Sequence, residues 1–151
     1  MTKTLMHRRA ASDTAKHRLQ ATACGAVRLK RAYEPAASSD GLRILVDRLW
    51  PRGLSRERIA TDLWLKDAAP SEPLRRWFGH QPRRWTAFAA KYRAELAKRP
   101  DVLQILDGLR RRGPITLVYA ARDPRINHAV VLRAALDERS GAASIQGETP
   151  Q

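Results

Sequence analysis

The sequence predicts an α/β domain: one small layered unit with a largely parallel sheet flanked by helices. Two observations carry that prediction, and the size of the chain supports it. The runs at residues 42–46 and 115–119 are short, mostly apolar and rich in Leu, Ile and Val, which suits strands buried on both faces. Segments with apolar residues three and four apart lie between these runs and after the second, the alternation expected of βαβ units. At 151 residues, 43% hydrophobic and 29% charged, the chain fills one domain of ordinary size.

Residues 1–25 are small, polar or basic with no useful periodicity, and read as a disordered basic tail; residues 139–151 read as a second tail, leaving 26–138 as the domain. Strand one is short: Val27 and Leu29 alternate with Arg28 and Lys30. A turn-rich loop from Glu34 to Gly41 follows, then the second strand, stopped by Trp50-Pro51-Arg52-Gly53. Pro51 cannot donate to a ladder and Gly53 permits a left-handed turn. Ser55 is placed to cap a short helix, and Leu63-Trp64-Leu65 is a brief apolar patch.

Ser71 predicts an N-cap for a helix over residues 72–78, with Pro73 in its first turn. Gly79-His80-Gln81-Pro82 breaks the chain before a longer helix over 82–99, where Trp85, Phe88, Ala89, Tyr92 and Leu96 form an apolar stripe. The next helix spans 101–111, with Val102, Ile105, Leu106 and Leu109 on its apolar face, Arg110 to Arg112 complementing its dipole and Gly113-Pro114 as its stop. After the strand at 115–119, Asn127 can cap a last helix over 128–136 that buries Val130, Val131 and Ala134 or Ala135.

No apolar run approaches the roughly 20 residues that cross a bilayer, so a soluble protein with no membrane partner is expected. The lone Cys24 excludes a disulfide framework and fits a reducing cytoplasm. Of the net charge of +14, residues 1–25 hold five basic groups and one acid, and residues 138–151 one basic and two acidic, so +11 falls on residues 26–137. That excess is either an arginine-rich solvated surface or a genuine field for anions, nucleic acid among them. His80 and His128 are far apart and have no cysteine pair or second histidine at metal-binding spacing, so no metal site and no cofactor is expected.

The most informative motif is Asp47-Arg48-Leu49-Trp50-Pro51-Arg52-Gly53, directly after the second strand. Ligand sites of open α/β sheets lie at the carboxyl ends of strands. Arg122-Asp123 follow the other clear strand, so a parallel sheet brings two acid-arginine pairs to one edge. Arg48, Arg52, Lys66 and Arg122 are then candidates to cradle a phosphate or carboxylate, because guanidinium groups bind such oxyanions in bidentate fashion. Trp50 is a candidate stacking surface and Tyr119 a hydroxyl donor. Asn127 and His128 open the last helix, where free N–H groups favour anions. His128, oriented by Asp47 or Asp123, has the chemistry of a general acid or base. The competing reading is that Asp47, Arg48, Arg122 and Asp123 only pair among themselves and tie the sheet edge together.

Four motifs in order, residues 45–53, 62–71, 76–80 and 127–132, resemble the YeaO-like family of uncharacterised bacterial proteins, a domain of unknown function numbered 488. The resemblance covers about residues 27–137. It departs mildly at Arg122, where lysine is common, and in the N-terminal extension. It implies no particular activity, so the expected function rests on the residues: binding of a small anionic ligand, a nucleotide or phosphorylated metabolite, with hydrolysis or transfer at a phosphate or glycosidic bond as the reaction to try. A nucleic-acid-binding module using the basic body is the alternative. The oligomeric state is not legible.

Overall fold

The computed structural model describes the backbone of residues 25–147 and the side chains of residues 25–140. Residues 1–24 of the tail expected at 1–25, with Cys24, lie outside the described residues, as do residues 148–151. The strands are β1 (Val27–Arg31), β2 (Leu42–Leu45), β3 (Leu63–Trp64) and β4 (Ile115–Tyr119). They form one sheet in the order β1-β4-β2-β3, and every neighbouring pair is parallel. The expected α/β class and the parallel direction are therefore both present. Leu117 stands opposite Leu29 on one side and Ile44 on the other, so the last strand is the centre of the sheet. All five residues of β4 are buried, which explains why the run is apolar apart from Thr116, whose hydroxyl donates to the Asp40 carbonyl at 2.7 Å.

The helices are α1 (Arg56–Ile59), α2 (Glu72–Phe78), α3 (Trp85–Ala97), α4 (Pro100–Arg112) and α5 (His128–Gly147), with 3-10 turns at Ser38–Asp40, Lys66–Ala68 and Pro82–Arg84. Side chains of successive strand residues leave on opposite faces. One face carries Ile44, Ile115, Leu117 and Tyr119, packed with Phe78, Phe88, Tyr92, Leu106, Leu132 and Leu136 of the four longer helices. The other carries Leu45 and Val118, covered by Ile59 of α1 and by Ala32, Trp50, Leu54 and Trp64. The layers are unequal: a full helical layer on one side, a thin cover on the other.

Local signals set the element ends. Ser55 Oγ accepts the Arg58 N–H at 3.2 Å and Ser71 Oγ accepts the Leu74 N–H at 3.4 Å, as both caps require. Glu95 of α3 reinforces the second cap, accepting from the Ser71 N–H at 2.8 Å and from its hydroxyl at 2.5 Å. Gly41 has φ 64° and sits against the start of β4; a Cβ there would stand 2.1 Å from the Pro114 carbonyl oxygen. Only glycine fits.

Two expectations need correction. In α4 the buried residues are Val102, Leu103, Leu106, Asp107 and Arg110, whereas Ile105 is exposed. Asp107 takes an inward position instead, paired with Arg110 at 2.7 Å and Arg139 at 2.5 Å. In α5 the buried set is Ala129, Val131, Leu132 and Leu136, with Val130, Ala134 and Ala135 only half-buried. The helix also runs through Gly147 rather than ending near residue 136. Glu138 pairs with Arg93 at 2.8 Å and Arg139 with Asp107, ties that hold α5 beyond its apolar stripe. Among the described residues no helix is long and apolar enough to cross a membrane.

Candidate functional site

The site is built where β2 and β4 end side by side. Val46 still donates to the Val118 carbonyl at 3.1 Å, and the next residue, Asp47, turns its carboxylate across the edge. Asp47 Oδ2 accepts the Ala120 N–H at 3.0 Å, and its Oδ1 lies 3.2 Å from His128 Nε2. The same ring nitrogen lies 3.0 Å from the Val46 carbonyl oxygen. Both neighbours of Nε2 are acceptors, so Nε2 carries the proton and Nδ1 is the nitrogen left to meet a ligand. The proton is aimed at Val46, since Asp47 Oδ1 is buried without a hydrogen bond although it stands within ion-pair reach.

Tyr92 of α3 backs this pair, its ring edge-on to the His128 ring with centroids 6.1 Å apart. Its hydroxyl donates to the Ala68 carbonyl, and burial pushes its pKa far above the ordinary tyrosine value. Tyr92 is a neutral structural floor for the imidazole.

Arg48 follows Asp47 and bends toward the loop before α2, where Nη2 donates to the Pro70 carbonyl at 3.3 Å. Its Nε is buried with no acceptor. Arg48 lines a cavity of about 490 Å³ together with Arg75, Arg122 and His80, and with Phe78 and Phe88 as an apolar wall. The two phenyl rings stack at 4.2 Å. Among the described residues neither Arg75 nor Arg122 has a carboxylate partner. The charge-only reading, in which Asp47, Arg48, Arg122 and Asp123 tie the edge by ion pairs, is not what these side chains do.

Six of the residues singled out from the sequence line the cavity: Asp47, Arg48, Arg122, Asp123, Asn127 and His128. Two of them are committed to the backbone. Asn127 is buried, its Oδ1 accepting the Val130 N–H at 3.2 Å and its Nδ2 donating to the Asp123 carbonyl at 2.9 Å. Asp123 Oδ1 accepts the N–H groups of Arg125 and Ile126, at 2.8 and 3.3 Å, and shapes the loop.

Trp50, Arg52, Lys66 and Tyr119 are not among the lining residues. Trp50 belongs to the opposite face of the sheet, its indole N–H donating to Leu54 at 2.6 Å and its ring meeting Trp64 edge-on at 5.3 Å. Arg52 is exposed beyond it, and Lys66 lies over the Trp64 ring at 4.0 Å. Tyr119 is packed in the core. The contiguous motif after β2 thus serves two faces. Arg75, Phe78 and Phe88 entered the site without a sequence signal beyond helical spacing. His80, which also lines the cavity, has φ 57° and packs its ring 5.9 Å from Phe78.

A family model described as "Inactive DUF488-N3 subclade" matches residues 26–150. The chain belongs to this subclade. It is similar to the uncharacterized protein YeaO of Escherichia coli (strain K12), with 42% identity over 106 residues, covering 70% of this chain and 92% of YeaO. It is also similar to the uncharacterized protein Rv3073c of Mycobacterium tuberculosis (strain ATCC 25618 / H37Rv), with 41% identity over 113 residues, 75% of this chain and 95% of the relative. No solved structure matches. The subclade match takes in both strand ends, the cavity and the helix that carries His128.

Proposed function

We propose that this member of the DUF488-N3 subclade is a binding domain for a small organic anion of the nucleotide or phosphorylated-metabolite class. The single observation that carries the reading is the convergence of three guanidinium-bearing residues, Arg48, Arg75 and Arg122, on one cavity at the ends of β2 and β4. Arg75 and Arg122 add two guanidinium groups without carboxylate partners, suited to bidentate contacts with a phosphate or carboxylate. Phe78, Phe88 and Leu49 give the remainder of the ligand an apolar wall. The volume lies in the range of small-molecule sites.

The description of the subclade as inactive supports binding without turnover. The Asp47–His128 pair then positions a ligand rather than moving its protons. The single cysteine of the chain supports a cytoplasmic setting, where such anions are abundant.

The test is a thermal-shift screen of nucleoside mono-, di- and triphosphates, sugar phosphates and inorganic phosphate, on the wild type and Arg48→Ala. A ligand at about 100 times its Kd stabilises the fold by roughly 2.7 kcal/mol, a shift of several degrees. One class should shift the wild type and leave the folded Arg48→Ala protein unmoved. Silence from every class, or equal shifts in both proteins, would overturn the reading.

A further inference from the structure

From Pro73 to Ala94 the chain contains no Asp or Glu, while it carries Arg75, Arg76, Arg83, Arg84, Lys91 and Arg93. The segment folds as α2, a tight turn through Gly79 and most of α3, so its charges stand on a rigid frame. Phe78, Trp85 and Phe88 anchor the frame from inside through stacked and tilted ring contacts. Trp77, by contrast, stays 38% exposed in the middle of this basic stretch. The Arg84 guanidinium lies 5.2 Å and the Lys91 ammonium 4.8 Å from its ring centroid. Arg84 also donates to the Trp77 carbonyl, which holds the guanidinium beside the indole.

The few carboxylates in reach do not neutralise this centre. Glu72 pairs with Arg76 at 2.6 Å and Glu138 with Arg93 at 2.8 Å, both at the margins of the stretch. Arg83 bonds only the neutral amide of Gln81, at 3.1 Å. Among the described residues Arg83, Arg84 and Lys91 therefore have no carboxylate partner beside the exposed indole.

We propose that this surface, centred on Trp77 and flanked by Arg83, Arg84 and Lys91, binds single-stranded nucleic acid. Both cations lie over the indole, so a base reaches the ring as Lys91 swings to a flanking phosphate, which joins the two elements such sites need: a platform for a base and partners for the phosphates. A duplex presents phosphates but hides its base faces, and would leave Trp77 unused. Trp77 is absent from the cavity lining, so this surface is independent of the anion site at Arg48.

The test is fluorescence anisotropy with labelled oligo(dT) and oligo(U) of about 16 nucleotides. It uses the full chain, so that any contribution of the basic N-terminal segment is common to every variant. Trp77→Ala should weaken binding by about 5- to 150-fold, the effect of one lost base stack, and Trp77→Phe should retain most of the affinity. Arg83→Ala and Arg84→Ala should each reduce the slope of log affinity against log salt by about 0.7. Trp77→Ala with unchanged affinity, a preference for duplex of the same length, or binding to anionic phosphatidylserine vesicles in place of oligonucleotides would each overturn the proposal.

Discussion

Asp47 Oδ2 accepts the backbone N–H of Ala120 at 3.0 Å, so a side chain from the end of β2 completes the hydrogen bonding at the end of β4. The bond joins the two adjacent strand ends just where the cavity opens. Its loss should therefore be felt in stability as well as in the site.

Asp47→Ala leaves the Ala120 N–H without its acceptor and should destabilise the fold by about 1–3 kcal/mol in urea denaturation. Asp47→Asn keeps an amide oxygen for that N–H and should retain most of the stability. Equal losses in the two variants would mean that charge, not the strand-end hydrogen bond, is what matters.

Trp50 offers a contrast. Its ring packs on Trp64 across the sheet from the cavity, so Trp50→Ala should cost about 3 kcal/mol of stability. Trp50→Phe should leave the affinity for the cavity ligand unchanged, as read by isothermal titration calorimetry with the anion found in the thermal-shift screen. A large loss of affinity would put the indole back in the site.

Asp40 should give the protein a distinct acid limb. Burial raises its pKa, but the Ala37 N–H together with Lys30 and Arg43 outweighs burial and holds it below the ordinary value of 3.8. Arg43 Nη1 lies 2.6 Å from Asp40 Oδ2, and both residues are buried. A group with a lowered folded pKa stabilises fully above its unfolded pKa and loses that contribution as pH falls through the folded value. Chemical denaturation between pH 6 and about pH 2 should show wild-type stability falling below pH 3.8 in a step that Asp40→Asn lacks. At neutral pH the variant should be weaker by about 3–5 kcal/mol, because Arg43 remains buried without its carboxylate. Parallel acid limbs in the two proteins would remove Asp40 from this role.

The sequence made the strands and caps legible because their signals are local. Residues 42–45 and 115–119 are largely apolar runs, interrupted only by Arg43 and Thr116 and bounded by Gly, Pro or charge, and Ser55 and Ser71 are caps that need only the next turn to act. The sheet edge followed from strand direction alone, which brought Asp47, Arg48, Arg122, Asp123, Asn127 and His128 together. Tertiary pairing was not legible. Asp107 and Arg110 look like surface residues until Arg139 closes on them, while Ile105 is exposed. Trp50 looked like a neighbour of Arg48 because it is two residues away, yet β2 ends between two layers and the chain feeds both. Arg75 reaches the cavity from α2, and nothing in its sequence surroundings separates it from Arg76, which pairs outward with Glu72.

The strand order carries a consequence for how the molecule is made. β1 and β2 both pair with β4, and they do not pair with each other. During synthesis the first two strands emerge long before their common partner, which begins only at Ile115. Until that segment clears the ribosome, β1 has no ladder to join and β2 has only the two-residue β3 beside it. The nascent chain must keep its edges exposed through most of translation and close the sheet late, by insertion of the central strand. Any fragment that stops before residue 115 therefore lacks the piece on which its own strands assemble.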